Sequence, residues 1–254
     1  MALNVERHQQ IEQLIRANGR ATVEELSARF GVSPATIRRD LERLAGAGLL
    51  QRAHGGAVAL ERAAPEPPVA SRAGERADEK QRIGRAAAAL IGAGETIFLG
   101  SGSTTLAVAR HLHGKRGLKV ITNALTIANE LAGSPEISLI ITGGLLRSSE
   151  QSMLGHLAEQ ALRQLRADKA VIGIRAISAA EGLTSDYGAE TSADRAILAC
   201  APQLLLVADH SKLGRVANVV LAPASAVHTL VTGGQAPDDQ LGELRRLGVR
   251  VVLV

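Results

Sequence analysis

The sequence predicts an α/β protein of two domains, a small one with helices and a β-hairpin and a larger one with a mostly parallel sheet. Two short amphipathic helical patterns stand near the start, separated by Gly31. From Gly94 onward, apolar strands alternate with helical patterns, which is typical of a parallel sheet with helices on both faces. Between these parts lies a stretch rich in proline and charge. We therefore expect domains over 1–60 and 75–254, joined by a linker over 61–74.

Composition bounds the class of protein. Of the 254 residues 46% are hydrophobic but only 1% are aromatic, so the cores must be built from Ala, Leu, Ile and Val. An apolar run of about 18 residues is lacking, so no membrane span is expected, and the first residues lack the pattern of a signal peptide. The lone Cys200 excludes an intrachain disulfide and fits a reducing cytoplasm. The net charge of +4 permits nucleic-acid binding.

The first domain is predicted to begin with a helix over 5–18. The apolar side of this helix is formed by Ile11, Leu14 and Ile15. A second helix is expected over 22–30, because Thr22 is a good N-cap and Glu25, three residues on, completes a capping box. Gly31 then permits a tight turn before the next helix.

The segment 33–44 predicts a third helix with an arginine-rich outer face. Ser33 suits the N-cap, and Pro34 suits the first helical position. The apolar stripe consists of Ile37, Leu41 and Leu44. Successive residues about 100° apart leave the polar side chains on the opposite face. These are Thr36, Arg38, Arg39, Glu42 and Arg43. Ordinary solvated charge is the alternative interpretation of this face.

Helix, glycine turn and helix is the arrangement whose second helix enters the major groove of DNA. Arginine suits both phosphate contacts and bidentate readout of guanine. Two short strands around a glycine turn follow and predict a wing, whose tip carries Arg52 and His54. An exposed turn residue is the alternative for His54. The predicted DNA-binding residues are Ser33, Thr36, Arg38, Arg39, Arg43, Arg52 and His54.

The second domain is predicted to start with a helix over 75–90. Strands are then expected over 95–99, 119–122, 137–142, 169–174, 203–208, 228–232 and 250–254. Helices are expected over 103–113, 124–131, 155–165, 191–200 and 238–247. The strands are continuous apolar runs, which indicates a sheet buried on both faces.

A glycine- and hydroxyl-rich turn follows the first strand of this sheet. Ligands of open parallel sheets bind at the carboxyl ends of the strands. Glycine lets backbone N–H groups approach an anion, and the next helix directs its positive N-terminus there. We therefore predict a phosphate cradle, which has neither a Walker lysine nor dinucleotide-binding spacing. Its residues are Ser101, Gly102, Ser103, Thr104 and Thr105. A turn without a ligand is the alternative.

Polar residues also follow two other strands. Asn123 can bind a sugar hydroxyl, Asp209 can accept from a hydroxyl, and Lys212 can neutralise a phosphate. Each one alone fits a loop cap or a solvated charge equally well. Together they favour a phosphorylated sugar or polyol as ligand. No Cys or His stands at metal-ligand spacing, so neither a metal nor a cofactor is expected.

Both predicted domains resemble the DeoR family of bacterial transcription regulators. The matching segments are VSPATIRRDL at 32–41, HGGA at 54–57, GSGSTT at 100–105, VITN at 120–123, GG at 143–144 and ADHSKLGR at 208–215. The resemblance implies an effector domain similar to ribose-phosphate isomerases, which senses a sugar phosphate and oligomerises. The sequence departs from the family at Gly100, where an aspartate is common, and at Gly233, where Thr-Asp often ends the strand.

The leading hypothesis is a cytoplasmic, homo-oligomeric transcriptional repressor that a phosphorylated sugar or polyol releases from its operator. At least two recognition helices are needed for a two-fold operator. The alternative is a sugar-phosphate isomerase with a fused DNA-binding domain, with Asp186, Glu190 or Asp209 as general base. A third hypothesis is a DNA-binding protein whose crevice serves only assembly. The operator, the effector, the pathway, activation versus repression, and dimer versus tetramer stay open.

Overall fold

Two structural units, Met1–Arg62 and Ala63–Val254, divide the chain. The computed structural model describes residues 2–46, 49–53, 55–59, 61–62, 67–186 and 191–254. Predicted residues His54 and Glu190 therefore lie outside the described part. Of the predicted linker, the described residues 67–74 belong to the second unit and include a short helix. Among the described residues, no helix is long and apolar enough to cross a membrane.

The first unit contains three helices and a small antiparallel sheet. Its helices are α1 (Ala2–Asn18), α2 (Val23–Phe30) and α3 (Pro34–Gly46). Its strands are β1 (Arg20–Thr22), β2 (Gln51–Ala53), β3 (Gly56–Val58) and β4 (Glu61–Arg62). The sheet order is β1-β3-β2, so the predicted hairpin carries an additional strand. The predicted capping box at Thr22 and the left-handed Gly31 are both present.

The core of the first unit comes from the apolar stripes that helical spacing predicts. Five of its large side chains on the helices are at most 1% exposed: Ile11, Ile15, Leu26, Ile37 and Leu41. Burial of each such side chain is worth about 1.5–3 kcal/mol, so this interior holds the helices together. Strand β1 was not predicted because it has only three residues and one buried side chain, that of Ala21.

The second unit alternates strands with helices. Its helices are α4 (Val69–Arg72), α5 (Ala77–Ala89), α6 (Ser103–Arg110), α7 (Leu125–Leu131), α8 (His156–Gln164), α9 (Thr191–Ala199) and α10 (Asp238–Arg246). Its strands are β5 (Thr96–Leu99), β6 (Leu118–Thr122), β7 (Ile137–Ile141), β8 (Leu145–Arg147), β9 (Ser152–Leu154), β10 (Lys169–Ile172), β11 (Ala176–Ser178), β12 (Gly182–Ser185), β13 (Gln203–Val207), β14 (Arg215–Val216), β15 (Val219–Ala222), β16 (Thr229–Thr232) and β17 (Arg250–Leu253). Short 3₁₀ turns lie at His210–Lys212 and Ala224–Ala226.

The central sheet is parallel throughout, in the order β17-β16-β13-β10-β5-β6-β7. All seven strands are the predicted ones, which confirms the fold class. After β5 the chain builds the sheet first toward β7 and later, from β10, in the other direction. Such a reversal opens a crevice at the carboxyl ends of the strands on either side of it.

Both faces of this sheet are covered in its interior strands, while the edge strands β7 and β17 are partly exposed. Neighbouring residues of one strand point to opposite faces, so Phe98 belongs to one core cluster and Ile97 to the other. Helices α8 and α9 contribute Leu162 and Ile197 to the first cluster. Helices α5 and α6 contribute Ile83 and Val108 to the second. The sandwich of helix, sheet and helix is therefore the one predicted from the continuous apolar strands.

Two small antiparallel additions were not predicted. One is the β8–β9 hairpin, and the other is a three-stranded sheet in the order β11-β12-β15. Their strands have only three or four residues, too few for a clear pattern of alternation. Both additions contribute residues to the cavity described below.

Candidate functional site

The outer face of α3 carries the predicted cations. Arg38, Arg39 and Arg43 are exposed, while Ile37 and Leu41 are fully buried. Among the described residues, no carboxylate forms an ion pair with these three guanidinium groups. They are thus available to anions such as DNA phosphates.

The hydroxyl groups of Ser33 and Thr36 form hydrogen bonds at the start of α3. The backbone N–H of Thr36 donates to Ser33 Oγ at 3.2 Å, as expected of an N-cap, and the two side-chain oxygens lie 2.9 Å apart. Ser33 is exposed and Thr36 is half-buried. Both predicted residues therefore stand at the end of the helix that a helix-turn-helix protein presents to base edges.

A buried carboxylate, which the sequence reasoning missed, fixes α3 to α1. Asp40 Oδ2 accepts from Arg7 Nε at 2.7 Å, and Oδ1 lies 2.8 Å from His8 Nε2. Burial raises the pKa of Asp40, but the hydrogen bonds and charges of Arg7 and His8 outweigh it, so the pKa lies below its ordinary value. Asp40 is therefore a carboxylate at neutral pH and locks the position of the arginine-bearing helix.

The wing is also tied to α3. Arg52 Nη1 donates to the carbonyl of Arg38 at 3.0 Å, so this predicted DNA-binding side chain has a structural partner.

Strands β1 and β3 of the small sheet approach each other closely. A Cβ on Gly56 would lie 2.2 Å from the carbonyl oxygen of Ala21, which leaves room for glycine alone.

A cavity of about 690 Å³ opens in the second unit at the carboxyl ends of four sheet strands. It is lined by residues that follow β5, β6, β10 and β13, including Gly100, Asn123, Gly173 and Asp209. The volume is that of a pocket for a small metabolite. Six basic and five acidic side chains line it, so a charged and hydroxyl-bearing ligand suits it better than an apolar one.

The predicted cradle forms one wall of this cavity. Gly100, Ser101, Gly102, Ser103 and Thr104 all line it. Gly102 has φ +134° and precedes α6, whose first backbone N–H groups lie at this turn. Thr105 differs from the prediction. Its side chain is fully buried and donates to the Gly102 carbonyl at 2.9 Å, so it holds the turn and does not line the cavity.

Asn123 lines the cavity from the end of β6. It is 3% exposed, and its Nδ2 donates to the carbonyl of Met153 at 3.4 Å. Its Oδ1 is buried and has no hydrogen-bond partner among the described residues. A buried acceptor without a donor is costly, and a ligand hydroxyl would satisfy it.

Asp209 and Lys212 line the cavity beyond β13. Asp209 Oδ1 accepts from the backbone N–H of Ser211 at 3.1 Å and caps the 3₁₀ turn. Burial raises the pKa of Asp209, but the hydrogen bond from the Ser211 hydroxyl and the charges of Lys212, Arg76 and Lys80 outweigh this effect, so the pKa lies below its ordinary value. Asp209 is therefore an anion among cations.

The sequence reasoning missed several cavity residues. The missed cations are Arg72, Arg76, Lys80, Arg147 and Arg175. The side chain of Lys80 is buried and its Nζ donates to the carbonyl of Arg72 at 2.7 Å. Burial lowers the pKa of this lysine, an effect that the charge of Asp209 opposes. No local motif marks these residues, because they stand in segments that only the fold brings to the cavity.

Gly100 and Gly233, where the resemblance implies aspartate, each have a structural setting. A Cβ on Gly233 would lie 2.1 Å from Glu79 Oε1. That oxygen accepts from the backbone N–H of His210 at 2.8 Å, so Glu79 occupies the space where a side chain at 233 would stand. A Cβ on Gly100 would meet Ile172 Cγ2 at 3.3 Å. An aspartate at either position would require its neighbours to move.

Other acidic groups are engaged. Asp186, a candidate base of the isomerase hypothesis, forms an ion pair with Arg175, with Nε and Oδ2 2.6 Å apart. Glu79, Asp209 and His210 bring metal-ligand atom types close together. The hydrogen bond between Glu79 Oε2 and His210 Nδ1, 2.8 Å long, accounts for the approach of these two, and Asp209 is the neighbour of His210 in the chain.

Comparison with family models matches both units. Residues 7–63 match the DeoR-like helix-turn-helix domain, and residues 75–234 match the DeoR C-terminal sensor domain.

Curated relatives match over most of their length. The glycerol-3-phosphate regulon repressor of Escherichia coli (strain K12) is 37% identical over 232 residues, which cover 91% of this chain and 92% of that protein. The transcriptional repressor AccR of Agrobacterium fabrum is 35% identical over 228 residues, covering 89% and 88%. Among solved structures, ribose 5-phosphate isomerase A of Methanocaldococcus jannaschii matches 55% of either chain with 20% identity and a TM-score of 0.41.

Proposed function

The chain belongs to the DeoR family and is a DNA-binding transcriptional regulator, and we propose that a phosphorylated sugar or polyol in its cavity controls its binding to an operator. One observation supports this most. The hydroxyl-rich turn at 101–104, the unsatisfied Asn123 Oδ1 and the cation Lys212 line a single cavity. A phosphate and several hydroxyls are the groups that complement such a set.

The proposed DNA contacts follow from the face of α3. Arg38, Arg39 and Arg43 supply affinity, while Ser33 and Thr36 stand at the end nearest the bases. Arg52 extends the contact through the wing, and His54, which lies outside the described residues, is a further candidate from the sequence. The regulator acts in the cytoplasm, where bacterial DNA lies.

Repression with release by the effector is the proposed direction of control. Relatives such as the glycerol-3-phosphate regulon repressor are named repressors. A three-carbon polyol phosphate therefore belongs in any panel of candidate effectors. The isomerase hypothesis is set aside, because the family is one of regulators.

A second copy of this chain is the proposed partner at the edge of the central sheet. Strand β7 is the last described strand on its side, and it exposes Ile140 and Ile141 by 40% and 46%. It contains no lysine, proline or bulge that would protect such an edge. Two copies pairing here about a two-fold axis form an isologous interface and supply the two recognition helices that a two-fold operator needs.

The test is fluorescence anisotropy on DNA from upstream of the protein's own gene. Salt is held constant, since phosphate-driven affinity falls steeply with salt. Titrations are repeated with glycerol 3-phosphate, ribose 5-phosphate and other phosphorylated sugars. Specific binding that one compound abolishes is the expected result. Specific binding that ignores every phosphate would contradict the proposed effector class and favour a cavity that serves assembly only.

A further inference from the structure

One wall of the cavity is the stretch that opens the second unit, residues 67–76, here called the entry segment. Pro68, Arg72, Glu75 and Arg76 of this segment line the cavity. Arg76 has φ +50°, a left-handed conformation that residues other than glycine rarely adopt. In the chain, the entry segment follows the helix-turn-helix unit. A ligand that displaces the entry segment therefore acts on the part of the chain that follows the DNA-binding unit.

Arg72 holds this segment in place. Its Nε donates to the carbonyl of Pro67 at 2.9 Å, and its Nη2 donates to the carboxylate of Glu150. The two side chains of this ion pair are only 10% and 14% exposed. The backbone N–H of Val69 donates to the carbonyl of Ser149 at 2.8 Å. The entry segment is thus fastened to the loop between β8 and β9 by an ion pair and a backbone hydrogen bond.

An anion bound in the cavity can compete with Glu150 for the guanidinium group of Arg72. Arg72 and Glu150 both line the cavity, so a bound anion and the Glu150 carboxylate would lie within the same cavity. The planar fork of arginine binds phosphate and carboxylate with the same geometry. Two anions on one guanidinium also repel each other, which disfavours the state in which both stay charged and in place.

Lys80 links the segment to the cavity a second time. Its Nζ holds the carbonyl of Arg72 and is itself part of the cavity lining. An anion that attracts this ammonium group therefore weakens its hydrogen bond to the last residue of α4 (Val69–Arg72).

We propose that Arg72 is an effector-binding residue, that Glu150 occupies it in the ligand-free protein, and that exchange of Glu150 for the ligand's anionic group releases the entry segment. This inference rests on the proposed function, because it requires an anionic effector in this cavity. A ligand shifts an equilibrium only through its different affinities for the two states. The exchange provides that difference, since the ligand gains Arg72 only when the pair with Glu150 opens.

The test uses the full-length protein, with Glu150→Gln and Arg72→Gln as variants. Exposed Arg110 and half-buried Glu130 form an ion pair, with Nε and Oε2 3.6 Å apart, and neither residue lines the cavity, so Arg110→Gln and Glu130→Gln are the control variants. Calorimetry measures the affinity for glycerol 3-phosphate, ribose 5-phosphate and inorganic phosphate. Hydrogen exchange measures the protection of residues 67–76, including the Val69 N–H, with and without ligand.

Opposite effects of the two variants are expected. Glu150→Gln removes the competing charge, so it tightens ligand binding about ten-fold and speeds exchange in the entry segment without ligand. Arg72→Gln weakens ligand binding about ten-fold or more, because a charged hydrogen-bond donor is lost. Ligand speeds exchange of the same segment in the wild type. The control variants change neither readout.

Three outcomes would overturn the inference. If the wild type binds a phosphate but both variants bind it with unchanged affinity, Arg72 is not an effector ligand, and the proposed function stands. If Glu150→Gln weakens binding, Glu150 is part of the binding site and not its competitor. If no phosphorylated compound binds the wild type, the proposed function fails and the inference fails with it. Glu150→Gln keeps a hydrogen-bond acceptor for Arg72, so it remains informative if Arg72→Gln folds poorly.

Discussion

Arg39 illustrates how much one exposed side chain on α3 can contribute. Its guanidinium group has no ion-pair partner among the described residues, so its loss leaves the fold intact. We expect Arg39→Ala to weaken operator binding by about 1–3 kcal/mol if the side chain contacts a base, or to reduce the salt slope by about 1 if it contacts a phosphate. Anisotropy titrations at several salt concentrations distinguish the two.

Arg110→Ala serves as the control for Arg39→Ala, because Arg110 is an exposed arginine of the second unit. It should leave both affinity and salt slope unchanged. Equal affinities of the wild type and Arg39→Ala would remove this residue from the proposed interface.

Asp40 acts on stability and not on DNA directly. Its folded-state pKa is lowered by Arg7 and His8, so its contribution to stability is complete above its unfolded pKa of about 4 and is lost as the pH falls through the folded pKa. Asp40→Asn should cost about 1–3 kcal/mol at pH 7, because it leaves the half-buried donors of Arg7 and His8 poorly paired. Urea unfolding at pH 7 and pH 3 measures the difference, which should shrink at the lower pH.

A stability difference of equal size at both pH values would contradict this account of Asp40. Glu42→Gln, an exposed change on the same helix, is the matched control and should have little effect at either pH.

Among the structural elements, the pair of strands β1 and β3 depends on a close backbone approach at Gly56. Gly56→Ala places a methyl group against the Ala21 carbonyl, where an unstrained contact is impossible. We expect a loss of about 1–3 kcal/mol and weaker operator binding, since the wing must shift. Gly46→Ala is the control in the same unit, because nothing lies within 4 Å of its Cβ. Similar urea midpoints for both variants would contradict the predicted strain.

Assembly belongs to the scale of the whole molecule. If β7 pairs with a second copy, Ile140→Lys should shift the protein toward the monomer, because it puts a charge at an apolar interface. Sedimentation velocity over a range of concentrations measures the shift, and operator affinity should fall with it. Lys119→Arg, an exposed change on the neighbouring strand, is the control. A wild-type protein that stays monomeric at all concentrations would refute the proposed edge pairing.

Local pattern alone determined most of the architecture. Helical spacing identified the buried stripe and the arginine face of α3, because the face on which a helical residue lies depends only on its separation along the sequence from the other residues of that helix. Continuous apolar runs identified all seven strands of the parallel sheet. Ligands bind at the carboxyl ends of such strands, and this rule predicted one crevice for residues 101–104, Asn123, Asp209 and Lys212. In the structure these residues line a single cavity.

Only the tertiary structure decided how distant segments meet. Arg72 and Glu150 are 78 residues apart, and Arg7 and Asp40 are 33 apart, so no spacing in the sequence links either pair. The tertiary structure also turned Thr105 inward, and it placed Glu79 where a side chain at Gly233 would stand. The physical reason is that periodicity shows which side of a helix or strand is buried, whereas ion pairs, cavity walls and close backbone approaches depend on which elements pack together.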